Sequence, residues 1–254
     1  RTGLGEFVFF VDRATEPVAH PGPNRLVTDR GPALRRLRAG TFTMGSATGE
    51  EDEKPPHEVS VAAFFLDETE VTVAQYRACV EAGECPEPPA TTGEGAAEDS
   101  LCNYRAPHRE RHPVNCVTLP EAATFCSWAQ KRLPTEQEWE YAARGAEGRT
   151  YPWGSAAPAS SRANACGPEC VALAASLGFV FSAAYADSDG YGSTAPVGSF
   201  AEGSTPEGLA DLAGNVWEWT ETELCPYDAP GCGSGAWVIR GGGWGNESRN
   251  VRCA

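Results

Sequence analysis

Apolar and polar positions alternate through His57-Glu58-Val59-Ser60-Val61, the period of a half-buried strand, and the run continues into Phe64-Phe65-Leu66. A strand is also predicted over residues 37–44, followed by an acidic, turn-rich loop over residues 45–56. Near the start, Phe7-Val8-Phe9-Phe10-Val11 reads as a short buried strand ahead of a Pro/Gly-rich stretch from Pro17 to Pro23. Three segments switch to helical spacing. The first begins near Thr72 and places Tyr76, Cys79 and Val80 on one face. The second opens with Thr118-Leu119-Pro120-Glu121, a capping box with Pro in the first turn, and runs through Phe125, Cys126 and Trp128. The third opens with Thr135-Glu136-Gln137-Glu138, another capping box, carries Trp139, Ala142 and Ala143 inward, and stops at Gly145. Residues 83–112, rich in Pro, Gly, Glu and Thr, form a long loop between the first two helices. After Gly145 the pattern predicts no helix, only short apolar runs punctuated by aromatic, Gly and Pro residues.

Composition sharpens this into a loop-rich fold. A chain of 254 residues makes one large domain or two small ones, and 41% hydrophobic residues suffice for a buried core. With 28 Gly and 20 Pro, long ordered loops are expected on a small α+β frame of low regular secondary structure. Such loops are costly in chain entropy, and disulfides or bound cations are the usual means of holding them. The formal net charge of -15 repels phosphate backbones, which argues against nucleic acid as a partner. It suits hard cations or basic partners, or serves solubility alone. No apolar stretch is long enough to span a bilayer and no signal peptide is visible; the start at Arg1 fits a mature or trimmed form.

Ten cysteines are many for a cytosolic enzyme and ordinary for an exported one. Cys79 with Cys85, Cys166 with Cys170 and Cys225 with Cys232 each bracket a short Gly- or Pro-containing loop able to bring two Cβ atoms into bonding range. Zinc is the competing reading, but no C-x2-C pair is present and imidazoles are few. His108 and His112 are four apart, yet Pro107 and Pro113 bracket them, so a surface loop is expected in place of a helical zinc pair. No Ser–His–Asp arrangement can be assembled.

Read in order, a series of segments resembles the formylglycine-generating-enzyme-like (sulfatase-modifying factor) family, whose fold is a variant of the C-type lectin fold. They are Gly40-Thr41-Phe42-Thr43-Met44-Gly45-Ser46, Pro56-His57-Glu58-Val59, Asp67-Glu68-Thr69-Glu70-Val71-Thr72 and His112-Pro113-Val114-Asn115. The series continues through Arg132-Leu133-Pro134-Thr135-Glu136-Gln137-Glu138-Trp139, Tyr151-Pro152-Trp153-Gly154, Thr194-Ala195-Pro196-Val197, Gly214-Asn215-Val216-Trp217-Glu218-Trp219 and Arg240-Gly241-Gly242-Gly243-Trp244. The resemblance implies a family domain over residues 37–254 after an N-terminal extension over residues 1–36, with Trp139, Trp217 and Trp219 in the core. It also implies a closing strand beyond Ala254, so the C-terminal end reads as truncated, disordered or processed.

The resemblance further implies structural calcium at one or two sites. One set is Asn164, the Ala165 carbonyl, Asp189 and the Tyr191 carbonyl; the other is Asp211, the carbonyls of Gly214 and Val216, and Glu218. Hard Ca²⁺ takes six to eight oxygens, and Asp187-Ser188-Asp189-Gly190 offers alternating oxygens beside a Gly turn. The alternative is that Asp211 and Glu218 only accept backbone hydrogen bonds. The family's oxidases use a copper(I)-binding cysteine pair shortly after the Arg-Gly-Gly segment. Here Asn246 falls at the first of these positions, and Cys253 aligns with a later structural one, with Cys126 as its candidate disulfide partner. No copper is expected. The resulting expectation is a secreted, periplasmic or cell-surface non-oxidase module that binds an extended peptide or protein, or a glycan, at Trp244, Asn246 and Arg249. The alternatives are an oxidoreductase or maturation enzyme of the family, and a structural subunit that oligomerises through the N-terminal strand.

Overall fold

Short alternating runs become a five-stranded antiparallel sheet and two hairpins in the computed structural model, which describes residues 11–12, 24–89 and 100–254. The strands are β1 (Val11–Asp12), β2 (Arg25–Leu26), β3 (Leu34–Leu37), β4 (Gly40–Met44), β5 (His57–Val61), β6 (Phe64–Asp67), β7 (Lys131–Arg132), β8 (Glu218–Glu223) and β9 (Trp237–Arg240). The sheet order is β2-β3-β6-β1-β7, while β4 pairs with β5 and β8 with β9. The single strand expected over residues 37–44 is in fact two. The chain breaks at Arg38-Ala39, so that β3 joins β6 in the sheet and β4 turns away to pair with β5. The expected N-terminal strand lies outside the described residues except for Val11. Val11 pairs with Leu66 on one side and Arg132 on the other, so at this residue both edges are taken within the chain.

The three expected helices are α1 (Val73–Glu81), α2 (Leu119–Trp128) and α3 (Glu136–Arg144). Each starts with a complete capping box, Thr72 with Gln75, Thr118 with Glu121 and Thr135 with Glu138, which satisfies N–H groups otherwise orphaned in the first turn. α3 stops at Gly145, whose φ of 65° is in the left-handed region. A fourth helix, α4 (Pro168–Ser176), corrects the expectation that none follows Gly145. Its sequence Val171-Ala172-Leu173-Ala174-Ala175 is rich in good helix formers, Pro168 stands in the first turn, and the Cys166–Cys170 bridge closes over that turn.

Two apolar clusters carry the frame. One joins α1 to α2 through Val73, Tyr76, Ala122 and Phe125, with the Tyr76 and Phe125 rings stacked at 5.7 Å. The other surrounds the wholly buried Trp139 of α3 with Met44, Leu66, Leu209 and Leu212, each worth about 1.5–3 kcal/mol of burial. Trp217 and Trp219, expected in the core, are only partly buried. Arg240 of the Arg-Gly-Gly segment lies over the Trp139 ring at 5.5 Å, paired with Glu140 and, at 3.8 Å, with Glu136.

All three local cysteine pairs are disulfides, and a fourth bridge, Cys102–Cys116, with a sequence separation of 14, lies between α1 and α2. Cys126 and Cys253 are free, contrary to the expected pairing. Both are buried, but in different clusters: Cys126 packs between α1 and α2, Cys253 beside α3. His112 departs from the surface reading as well. It is buried, with Nδ1 at 2.8 Å from Arg109 Nη1 and 3.0 Å from the Thr194 hydroxyl, while His108 is exposed.

Candidate metal centre

The segment from Asp211 to Glu218 is a compact turn followed by the first residue of β8. Asp211, Gly214 and Asn215 all have positive φ (63°, 85° and 60°), so the backbone coils tightly here. Only glycine is tolerated at position 214, because a Cβ there would stand 2.3 Å from the Asn164 carbonyl oxygen. Glu218 is wholly buried; its Oε2 accepts from the Trp139 indole at 2.5 Å and its Oε1 has no hydrogen-bond partner. Asp211 accepts from the Gly198 amide at 2.6 Å. Burial pushes Asp211 up to about 6 and holds Glu218 well above the usual carboxylate range, the Asp211 charge adding to the latter.

A third carboxylate, Glu70, belongs to the same locality and was not singled out from the sequence as part of it. It is wholly buried, accepts from Asn215 Nδ2 at 2.7 Å and from the Val216 amide at 3.3 Å, and so clamps the turn from outside. Burial raises its pKa, and the charges of Asp211 and Glu218 raise it further. It lies in the acidic segment Asp67-Glu68-Thr69-Glu70, where nothing local distinguishes a buried carboxylate from a solvated one.

The other candidate set sits against this turn. Asn164 is 1% exposed; its carbonyl accepts from the Asn215 amide at 2.7 Å, and its Nδ2 donates to Asn215 Oδ1 at 3.0 Å and to the Ser193 carbonyl at 2.9 Å. Its Oδ1 has no partner. Asp189 accepts from the Tyr191 amide at 2.8 Å and from the Tyr185 hydroxyl at 2.5 Å, while the Ala165 carbonyl is 3.0 Å from that same hydroxyl. The Asn164–Asn215 hydrogen bonds thus join the two sets into one assembly. Each contains a buried oxygen lacking a donor, the condition a hard cation would relieve, so the residues present fit calcium. Among the described residues, the group of three His/Cys/Asp/Glu ligand atoms that lie within 4.8 Å of one another is elsewhere, at Glu223, Cys225 and Cys232, where the two sulfurs are already joined.

The residues expected to contact a ligand are not equivalent in the structure. Trp244, expected to be exposed, is 5% exposed and packs with the Cys166–Cys170 bridge under Phe181, at 6.2 Å between ring centroids. The reason is α4 and the chain after it, which bring Phe181 onto the backbone at Gly245. Asn246 is half-buried and closes a turn, its Oδ1 accepting from the Gly243 amide at 2.7 Å and its carbonyl from the Cys166 amide at 3.0 Å. Arg249 is exposed, with Glu50 and Glu247 each 3.9 Å away. Trp217, half-buried, brings its ring beside Gly243, a placement that its position in a Trp-Glu-Trp run did not reveal.

A small antiparallel frame with little regular secondary structure, four disulfides and oxygen-lined turns defines a mixed α/β protein whose site is made by loops. The sulfatase-modifying factor enzyme 1-like domain matches residues 22–254, and the chain belongs to this formylglycine-generating-enzyme family. It is 35% identical to the formylglycine-generating enzyme of Streptomyces coelicolor over 280 aligned positions, covering 89% of this chain and 85% of that protein. It is 33% identical to the formylglycine-generating enzyme of Mycobacterium tuberculosis, covering 75% of this chain and 74% of that protein. The structure of PvdO from Pseudomonas aeruginosa superposes with a TM-score of 0.67 at 27% identity, covering 92% of this chain and 91% of that one. No helix among the described residues is long and apolar enough to cross a membrane.

Proposed function

We propose that this chain is an exported, calcium-stabilised binding module on the formylglycine-generating-enzyme-like scaffold, and that it does not perform two-thiolate copper chemistry. The observation that carries the calcium reading is the pair of buried oxygens without donors, Asn164 Oδ1 and Glu218 Oε1, one in each candidate set. Asn164, Ala165, Asp189 and Tyr191 would hold one ion; Asp211, Gly214, Val216 and Glu218 would hold the other. Calcium there supplies positive charge that ties loops together. Four disulfides support folding in an oxidising compartment. Eight of the ten cysteines are bridged, and the two free thiols are buried in separate clusters, which supports a non-oxidase role. The contact residues are Asn246 and the exposed Arg249, with the half-buried Trp217 beside Gly243 in place of the buried Trp244, and an extended peptide as ligand: an indole offers apolar contact, and the polar side chains offer hydrogen bonds to peptide groups.

Isothermal titration of chelator-treated protein with Ca²⁺ tests the reading. Binding of about two ions, with a rise in Tm that EDTA reverses and that Glu218→Gln diminishes, is the expected result; absence of binding at millimolar Ca²⁺ refutes it. A second reading, an enzyme of the family, is favoured by the relatives named as enzymes along most of their length. Oxygen uptake in the presence of a cysteine-containing peptide would establish it in its oxidase form and overturn the binding-module assignment.

A further inference from the structure

We propose that Tyr185 is a positioning residue of the first cation site, its hydroxyl holding the Asp189 carboxylate against the segment that carries Asn164 and the Ala165 carbonyl. The inference rests on the calcium reading and extends it to a residue outside the implied ligand set. The Tyr185 oxygen lies 2.5 Å from Asp189 Oδ2, 2.8 Å from the Ala163 carbonyl and 3.0 Å from the Ala165 carbonyl, and accepts from the Ala165 amide at 3.1 Å. One phenol therefore meets both chain segments that make up the set.

Its proton cannot serve all three acceptors. A tyrosine hydroxyl has a single hydrogen to donate, and the shortest contact is to the carboxylate, where the bond is charge-assisted. The two carbonyls then face the phenol oxygen with no hydrogen between, and Asn164, the residue between them in sequence, has its Oδ1 buried with no donor either. The locality holds more acceptors than donors, which is the balance a hard cation corrects. The ring itself is fixed independently of any ion. It packs with Ala165, Ala213 and Val251, and its Cε2 lies where a side chain at Gly167, the residue that opens α4, would come within 3.0 Å. Packing sets the ring, the ring sets the hydroxyl, and the hydroxyl sets Asp189.

Outer-sphere hydrogen bonds of this kind typically change metal affinity by about 10–100-fold when removed. In calcium titrations of the full chain, Tyr185→Phe is expected to weaken one of the two sites by about that factor and leave the other at its wild-type affinity. Glu218→Gln, which removes the second site, identifies the affected one as the first. Two wild-type affinities in a folded Tyr185→Phe protein overturn the proposal while leaving calcium binding intact. A wild-type protein that binds no calcium overturns both. Where Tyr185→Phe does not fold, 3-fluorotyrosine placed at position 185 keeps ring and hydroxyl. Its fluorine resonance is expected to shift as the first site fills, and an unmoved resonance at saturation refutes the assignment.

Discussion

Lys131 is one of two lysines in the chain, and it is 2% exposed. Its ammonium is 2.5 Å from Asp67 Oδ1 and donates to the Pro32 carbonyl at 3.1 Å; Asp67 is wholly buried and its Oδ2 has no hydrogen-bond partner. Burial pushes the Asp67 carboxyl upward and the neighbouring Lys131 charge pulls it back down. Lys131→Met keeps the length of the side chain and removes the charge. At an effective dielectric of about 20 the attraction across this contact is on the order of 6 kcal/mol. Part of that is recovered, because the ammonium no longer has to be desolvated and Asp67 can take up a proton. The net loss expected is about 3–5 kcal/mol, the usual cost of leaving one member of a buried pair alone. That is a large fraction of the roughly 5–15 kcal/mol that stabilises a typical domain. Urea denaturation at constant m reads it directly. The double variant Asp67→Leu with Lys131→Met removes both charges and is expected to regain most of the loss. A single variant that loses under about 1 kcal/mol, or a double variant as unstable as the single, would refute the electrostatic account.

Two further outcomes can be checked on the same protein. His112 is held neutral by burial and by the Arg109 charge, down to about 4, whereas the unfolded chain titrates near 6.5. The unfolded state therefore binds the extra proton first, so stability is full above about pH 6.5 and falls as the pH drops toward 4, by at most about 3 kcal/mol. Denaturation midpoints across that window should flatten in His112→Gln, and an unchanged slope would remove His112 from the explanation. Replacing Cys102 and Cys116 together by Ser opens a bridge spanning 14 residues and should lower stability by about 3 kcal/mol, measured by thermal unfolding without reductant.

The helices were legible because their signals are local. Thr118 and Thr135 cap their own helices through a residue three positions on, so the sequence already contains both partners of each hydrogen bond. The same holds for the three short disulfides, whose closing loops are a few residues long. α4 was missed where local signals were mixed: the Ala-rich apolar run that follows Cys170 has no polar face to mark a helical period. The motif series placed the candidate calcium residues, but their surroundings were hidden. Glu70 reaches the Asp211–Glu218 turn across some 145 positions of sequence, and Tyr185 meets Ala165 from 20 positions away.

What the sequence determined by itself was therefore the capped helices, the alternating strands, the local staples, the family and the absence of a cysteine at position 246. Each follows from residues near one another or from an ordered series of motifs. Tertiary structure decided which side chains those elements bring together: Phe181 over Trp244, Arg240 over Trp139, two thiols kept in separate clusters, and oxygens left without donors at Asn164 and Glu218. Burial and the pairing of buried polar groups depend on how distant segments pack, and no local period encodes the partner of a buried charge.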